Sequence, residues 1–197
     1  TGEGRELALG FAVNGLIDEA MTGVMRKGGM RSGDLLLLTK PIGTGTLFAA
    51  RNLLRARGRW IEAALQSMMM SNRLGAQILT RHRATACTDL TGFGLLGHLV
   101  EMTRPSGVDV ELKLSALPLL NGALECVQMG ILSSLQPANV RLRRALREQA
   151  AFVQHPRYPL LFDPQTAGGL LASVPPDQAQ ACVAELRAAG YVHTAII

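Results

Sequence analysis

The strongest constraint on the fold of this 197-residue chain is an alternation of two hydrophobic periods. Short runs rich in Val, Leu and Ile recur at Leu7–Ile17, Asp34–Thr39, Ala84–Thr88, Val108–Leu114, Tyr158–Phe162 and Gly169–Val174, and again at Tyr191–Ile197. Such runs read as buried strands. Between them the spacing turns helical. Ile61, Ala64, Leu65, Met68, Asn72, Gly75 and Leu79 follow one 3.6-residue stripe, in which Met68-Met-Met70 reads as core filler. Pro175-Pro176 and Asp177 open a second helix, Cys182 and Leu186 lie on its stripe, and Gly190 stops it. Residues 169–197 therefore read as a βαβ-type unit. The expected class is α/β, a mixed β-sheet covered by helices.

Charge and composition narrow the function classes. Apolar runs such as Leu35–Leu38 and Ile42–Ala50 are too short to span a bilayer, so no membrane partner is expected. The first residues carry no apolar leader, which points to a cytoplasmic protein. Both ends read as cuts through something longer. The net charge of +5 is densest at Arg141, Arg143, Arg144 and Arg147, which spread over more than one face. With aromatics at 4%, a solvated surface is the better reading and no nucleic-acid partner is expected. Cys87, Cys126 and Cys182 are far apart and form no Cys-x-x-Cys pair, so each reads as a reduced, buried thiol.

Three glycine-bearing segments could carry chemistry. In Thr88-Asp-Leu-Thr-Gly-Phe-Gly94, a strand ends on Asp89 and a helix starts near Leu95. Helix-start amides favour an anion, and a carboxylate beside an anion makes sense when a divalent cation bridges them. Asp89 is thus either a Mg²⁺ ligand or a helix cap, and spacing alone leans towards the cap. His98 could reach the same anion, although a local hydrogen bond explains it more simply. Leu38-Thr-Lys-Pro-Ile-Gly-Thr-Gly-Thr46 resembles a phosphate cradle but lacks Walker spacing, leaving Lys40 either a ligand or a surface charge. Phe162-Asp-Pro-Gln-Thr-Ala-Gly-Gly169 reads as a pocket-shaping loop, with no direct chemistry assigned to Asp163.

In this order the three segments resemble the selenophosphate synthetases (selenide, water dikinases), of the superfamily that includes aminoimidazole ribonucleotide synthetase. The resemblance covers nearly the whole chain. It implies the C-terminal domain of the aminoimidazole ribonucleotide synthetase-like fold over 18–197, with 1–17 the tail of the nucleotide-binding N-terminal domain or a linking strand. It implies transfer of the γ-phosphoryl of ATP to selenide, with release of AMP and phosphate and a need for Mg²⁺. Asp89 then becomes a Mg²⁺ ligand, reversing the reading from spacing, and Thr1 the end of the Gly-His-Thr/Ser nucleotide-binding segment. The nucleophile loop, its Lys and the other Mg²⁺-binding Asp residues are expected on the N-terminal domain, through which homodimers form. No catalytic residue is then expected in this fragment, and none of its cysteines matches the nucleophile. Gly2–Glu6 and Arg59–Glu62 depart from stand-alone enzymes and look closer to forms fused behind a pyridine-nucleotide-dependent oxidoreductase. The alternatives are a thiamine-phosphate or purine-precursor enzyme of the same superfamily, or a non-catalytic nucleic-acid-binding domain.

Overall fold

The computed structural model describes residues 24–197 together with Ala12 and Asn14. The Leu7–Ile17 run, the 1–17 segment and Thr1 therefore lie outside the described residues, apart from those two positions. Strand β1 (Leu35–Leu38) is followed by α1 (Thr44–Asn52), α2 (Gly58–Met69) and α3 (Arg73–Arg81), then β2 (Ala86–Asp89) and α4 (Gly94–Ser106). Short helices α5 (Ala123–Gln128), α6 (Gln136–Asn139) and α7 (Gln149–Phe152) lead to β3 (Leu170–Val174), α8 (Pro176–Ala188) and β4 (Ala195–Ile196).

The strands lie in the order β2-β3-β1-β4, and every ladder is antiparallel. One isolated parallel bridge, Ile42 to Leu119, lies outside the sheet. Because β3 and β4 both run against β1, they are parallel to each other with β1 between them. The expected βαβ unit is present in this split form, and β1 and β2 make a second split pair around β3.

Both sheet faces are covered, which explains why β1 is an unbroken Leu run and not an alternation. Leu36 and Leu38 join Ala86 and Leu171 in a core under α1, α2 and α4. Leu37 faces the other way, with Cys87 and Ala172, against Ile78 and Leu79 of α3 and Cys182, Val183 and Leu186 of α8. Full burial of each such leucine contributes about 1.5–3 kcal/mol. Helix α8 matches the sequence expectation to within a residue.

Other expectations shift. The single stripe from Ile61 to Leu79 breaks into α2 and α3, because Met70 adopts an extended conformation at the end of α2. Met69 is 80% exposed, so it is not core filler. Tyr158–Phe162 forms a 3₁₀ helix, with Pro159 in its first turn supplying a helix-compatible φ. Val108–Leu114 enters no ladder among the described residues, and alternates half-buried apolar side chains with exposed Asp109, Glu111 and Lys113. No helix among the described residues is long and apolar enough to cross a membrane.

Candidate functional site

The three glycine-bearing segments meet at one edge of the sheet. Strands β1 and β2 both leave there, and β3 enters between them. The Thr39 amide donates to the Leu170 carbonyl at 3.0 Å, and the Leu90 amide to the Gly169 carbonyl at 2.9 Å. The paired glycines are steric requirements of this crossing. A Cβ on Gly168 would lie 2.5 Å from the Leu90 carbonyl oxygen, and one on Gly169 would lie 2.6 Å from the Lys40 nitrogen.

Gln165 ties the segments together. Its Oε1 accepts from the amides of Gly43 (3.0 Å) and Thr44 (3.3 Å) and from the Thr44 hydroxyl (3.2 Å). Its Nε2 donates to the Asp163 carbonyl at 2.8 Å and to Asp163 Oδ2 at 3.0 Å. Its own amide donates to the Thr91 carbonyl at 2.9 Å. The Gly45 amide donates to the Pro164 carbonyl, and the Thr46 hydroxyl donates to Asp163 Oδ1 at 2.7 Å. The amides that open α1 are thus occupied by the 163–165 loop. The turn before α1 is closed by the chain's own Gln165 and Pro164 oxygens and is not an open phosphate cradle. Burial pushes the Asp163 carboxyl up to about 6, against the opposing pull of the Thr46 and Gln165 hydrogen bonds.

Lys40 is not a surface charge. It is 3% exposed, and its Nζ donates to the carbonyls of Met70 (2.6 Å) and Ala167 (3.2 Å). Burial lowers its pKa. The side chain fastens the α2–α3 link to the 167–169 turn.

Asp89 ends β2 with an exposed side chain. It does not cap α4, whose first turn follows Phe93 without any side-chain cap. Among the described residues no hydrogen bond or ion pair reaches its carboxylate, and no cluster of three or more His, Cys, Asp or Glu forms a complete metal site. A hard divalent cation takes about six or more oxygens, so Asp89 can supply only part of such a shell. Its exposed carboxylate leaves room for the other oxygens of such a shell.

The turn after Asp89 is held by His98. The Thr91 amide donates to His98 Nε2 at 3.0 Å, and the Thr91 hydroxyl lies at the same distance. An accepting Nε2 leaves the ring proton on Nδ1, which faces Glu101 Oε2 at 3.3 Å without hydrogen-bond geometry. Lys27 pairs with that same oxygen at 2.6 Å. Burial lowers the His98 pKa, more than Glu101 and Asp89 raise it. His98 therefore makes the local bond, as the simpler reading expected. Asn139 steadies the turn from the far side, donating to the carbonyls of Gly92 (2.8 Å) and Phe162 (3.1 Å).

Neither Gln165 as a hub nor Asn139 was visible in local sequence, since their partners are remote. A cavity of about 1080 Å³ lies at the opposite end of the strands, beside Asp34, Leu36 and Val110. The three cysteines are free and buried, and Arg141, Arg143, Arg144 and Arg147 are exposed.

Residues 31–197 match the family described as AIR synthase related protein, C-terminal domain. The chain is 37% identical over 197 residues to a selenide, water dikinase of Pelobacter propionicus, covering all of this chain and 56% of that protein. It is 39% identical over 188 residues to a selenide, water dikinase of Trichlorobacter lovleyi, covering 94% of this chain and 53% of the relative. The chain thus spans about half the length of the curated relatives it matches. In fold it is similar to the hydrogenase maturation protein HypE, with a TM-score of 0.62 at 18% identity over 92% of this chain and 47% of that one.

Proposed function

Since the chain belongs to the AIR synthase related family, whose C-terminal domain occupies its residues 31–197, we propose that it is the C-terminal part of a selenide, water dikinase. Such an enzyme makes selenophosphate, AMP and phosphate from selenide, ATP and water. The observation that carries this reading is identity of 37% across the entire chain to a protein of that name.

On this reading Asp89 is the Mg²⁺ ligand that this half contributes, Thr1 ends the nucleotide-binding segment, and the remaining ligands, the nucleophile and the rest of that segment belong to the other half. A bound Mg²⁺ would bridge carboxylate and phosphate oxygens and neutralise their charge. The described residues fix the backbone on either side of Asp89. His98 fixes the Thr91 turn beside it, Gln165 joins that turn to α1, and Lys40 anchors the glycine pair across β3. A cytoplasmic parent that dimerises through its N-terminal domain belongs to the same reading. So does fusion to an oxidoreductase, supported by the unusual Gly2–Glu6 and Arg59–Glu62 stretches.

The test is selenide-dependent AMP formation by the full-length parent and by its Asp89→Asn variant. The variant should retain its fold while losing most activity, and residual activity should need far more Mg²⁺. Wild-type rates at limiting Mg²⁺ would remove Asp89 from the site. Absence of selenide-dependent AMP from the wild-type parent would remove the activity itself. The 197-residue chain alone is expected to turn nothing over.

A further inference from the structure

Residues 108–114 have the pattern of a β-strand without a neighbour. Val108, Val110, Leu112 and Leu114 are half-buried against the core under α4, while Asp109, Glu111 and Lys113 between them are exposed. That two-residue alternation is the period of an extended strand lying on a core. Yet among the described residues no amide from Val108 to Leu114, and no carbonyl from Val108 to Leu112, meets a hydrogen-bond partner.

This segment borders the cavity of about 1080 Å³. Residues 107–115 form one wall without a break, and 30–36, Ser173 and Ile197 form the others. Leu36, Ser173 and Ile197 are buried, so the cavity reaches into the fold. The far wall is fixed in place. Asp34 Oδ2 accepts from the Arg31 amide at 3.0 Å and from the hydroxyls of Thr85 (2.6 Å) and Ser173 (2.8 Å).

We propose that this cavity receives one extended strand from the part of the parent protein outside these 197 residues, hydrogen-bonded along 108–114. A strand there lies about 4.8 Å from the segment and completes the cover of Val110 and Leu112. Its residues beside Val110 and Leu112 are apolar, and those beside Asp109 and Glu111 are neutral or basic. The proposal rests on the parent's being longer than this chain, which spans 56% of a relative, and not on selenide chemistry. Two arguments select a tethered strand over a separate protein. A site kept for a separate partner would leave a bare strand edge whenever it was unbound, a hazard that folds cover. A tethered strand meets the site at roughly millimolar effective concentration and so holds it first. A second copy cannot supply the strand from the same segment, because its own 108–114 edge faces its own 30–36 wall.

The test is made on the full-length parent. Amide exchange at 108–114 should be slowed about 100-fold or more at every second residue, and the slowing should persist on dilution. Glu111→p-benzoylphenylalanine, a photoreactive change at an exposed side chain, should cross-link within one molecule to a peptide outside these 197 residues. Neither readout uses selenide or ATP, so their failure would leave the assigned activity standing. Four results would overturn the proposal. They are exchange of 108–114 at the unfolded rate while β1 is protected, a cross-link confined to residues 1–197, a cross-link between two molecules, and protection that arises only when another protein is added.

Discussion

Gln165 Oε1 accepts the Gly43 amide at 3.0 Å, joining residues 122 positions apart. Through this contact the start of α1 and the loop before β3 become one body, and the Gln165 amide extends it to Thr91.

Gln165→Ala should therefore cost more than an ordinary polar truncation. It leaves buried amide and hydroxyl donors at Gly43 and Thr44 without an acceptor, each worth about 1–3 kcal/mol. Denaturant melts should show a loss of at least that size with an unchanged m-value. A loss within about 0.5 kcal/mol, the size of a surface change, would mean that the hub is not a hub.

Asp163 gives stability a pH signature. Its folded pKa, about 6, lies above the ordinary 3.8, so the fold prefers the protonated carboxyl. That preference is fully present below pH 3.8, is lost as pH rises through 6, and is level above it. The difference in unfolding free energy between the parent and Asp163→Asn should change across this window and stay constant from pH 7 to 8. A difference that is flat from pH 4 to 8 would show an unperturbed carboxyl.

His98 can be separated from mere bulk by its two amide analogues. His98→Gln can present an acceptor where Nε2 stood, towards the Thr91 amide, while His98→Asn presents its polar group nearer the Nδ1 position. In the full-length parent Gln should preserve the Mg²⁺ requirement better than Asn or Ala, measured as the Mg²⁺ concentration giving half-maximal rate. Equal effects of all three would leave His98 as packing alone.

The thiols should be inert. Burial is the main cause that raises Cys87 to about 12 and Cys182 to about 11, with Asp89 and Glu185 adding to it. At pH 8 an aromatic disulfide reagent should react only after denaturation. Fast labelling of the folded chain at Cys182 would contradict its position on the buried face of α8.

Much of this architecture can be read from local pattern because local pattern causes it. The Leu35–Leu38 run is apolar at every position since both sheet faces are covered, and α8 is bounded by Pro176 and Gly190, residues that start and stop helices wherever they occur. Asp89 stands out by its place at a strand end, although spacing alone leaned towards a helix cap there. What the pattern hides depends on distant partners. Lys40 looks like a surface charge until the Met70 and Ala167 carbonyls are seen around it. Asp163 looks like a turn former until the opening of α1 is found against it. Tyr158–Phe162 has a strand's composition but a proline that favours a tighter turn, and Met69 sits in a run of methionines that reads as core filler yet faces solvent.

The placement of β1 between β3 and β4 has a consequence for how the chain acquires its structure. Strand β1 can be flanked on both sides only after β4 has been made, since Leu38 pairs with Ala195, about 157 positions later. During synthesis four leucines must wait, exposed, for partners still inside the ribosome. The sheet is therefore closed by β4, and a chain that lacked it would leave β1 as an open, adhesive edge.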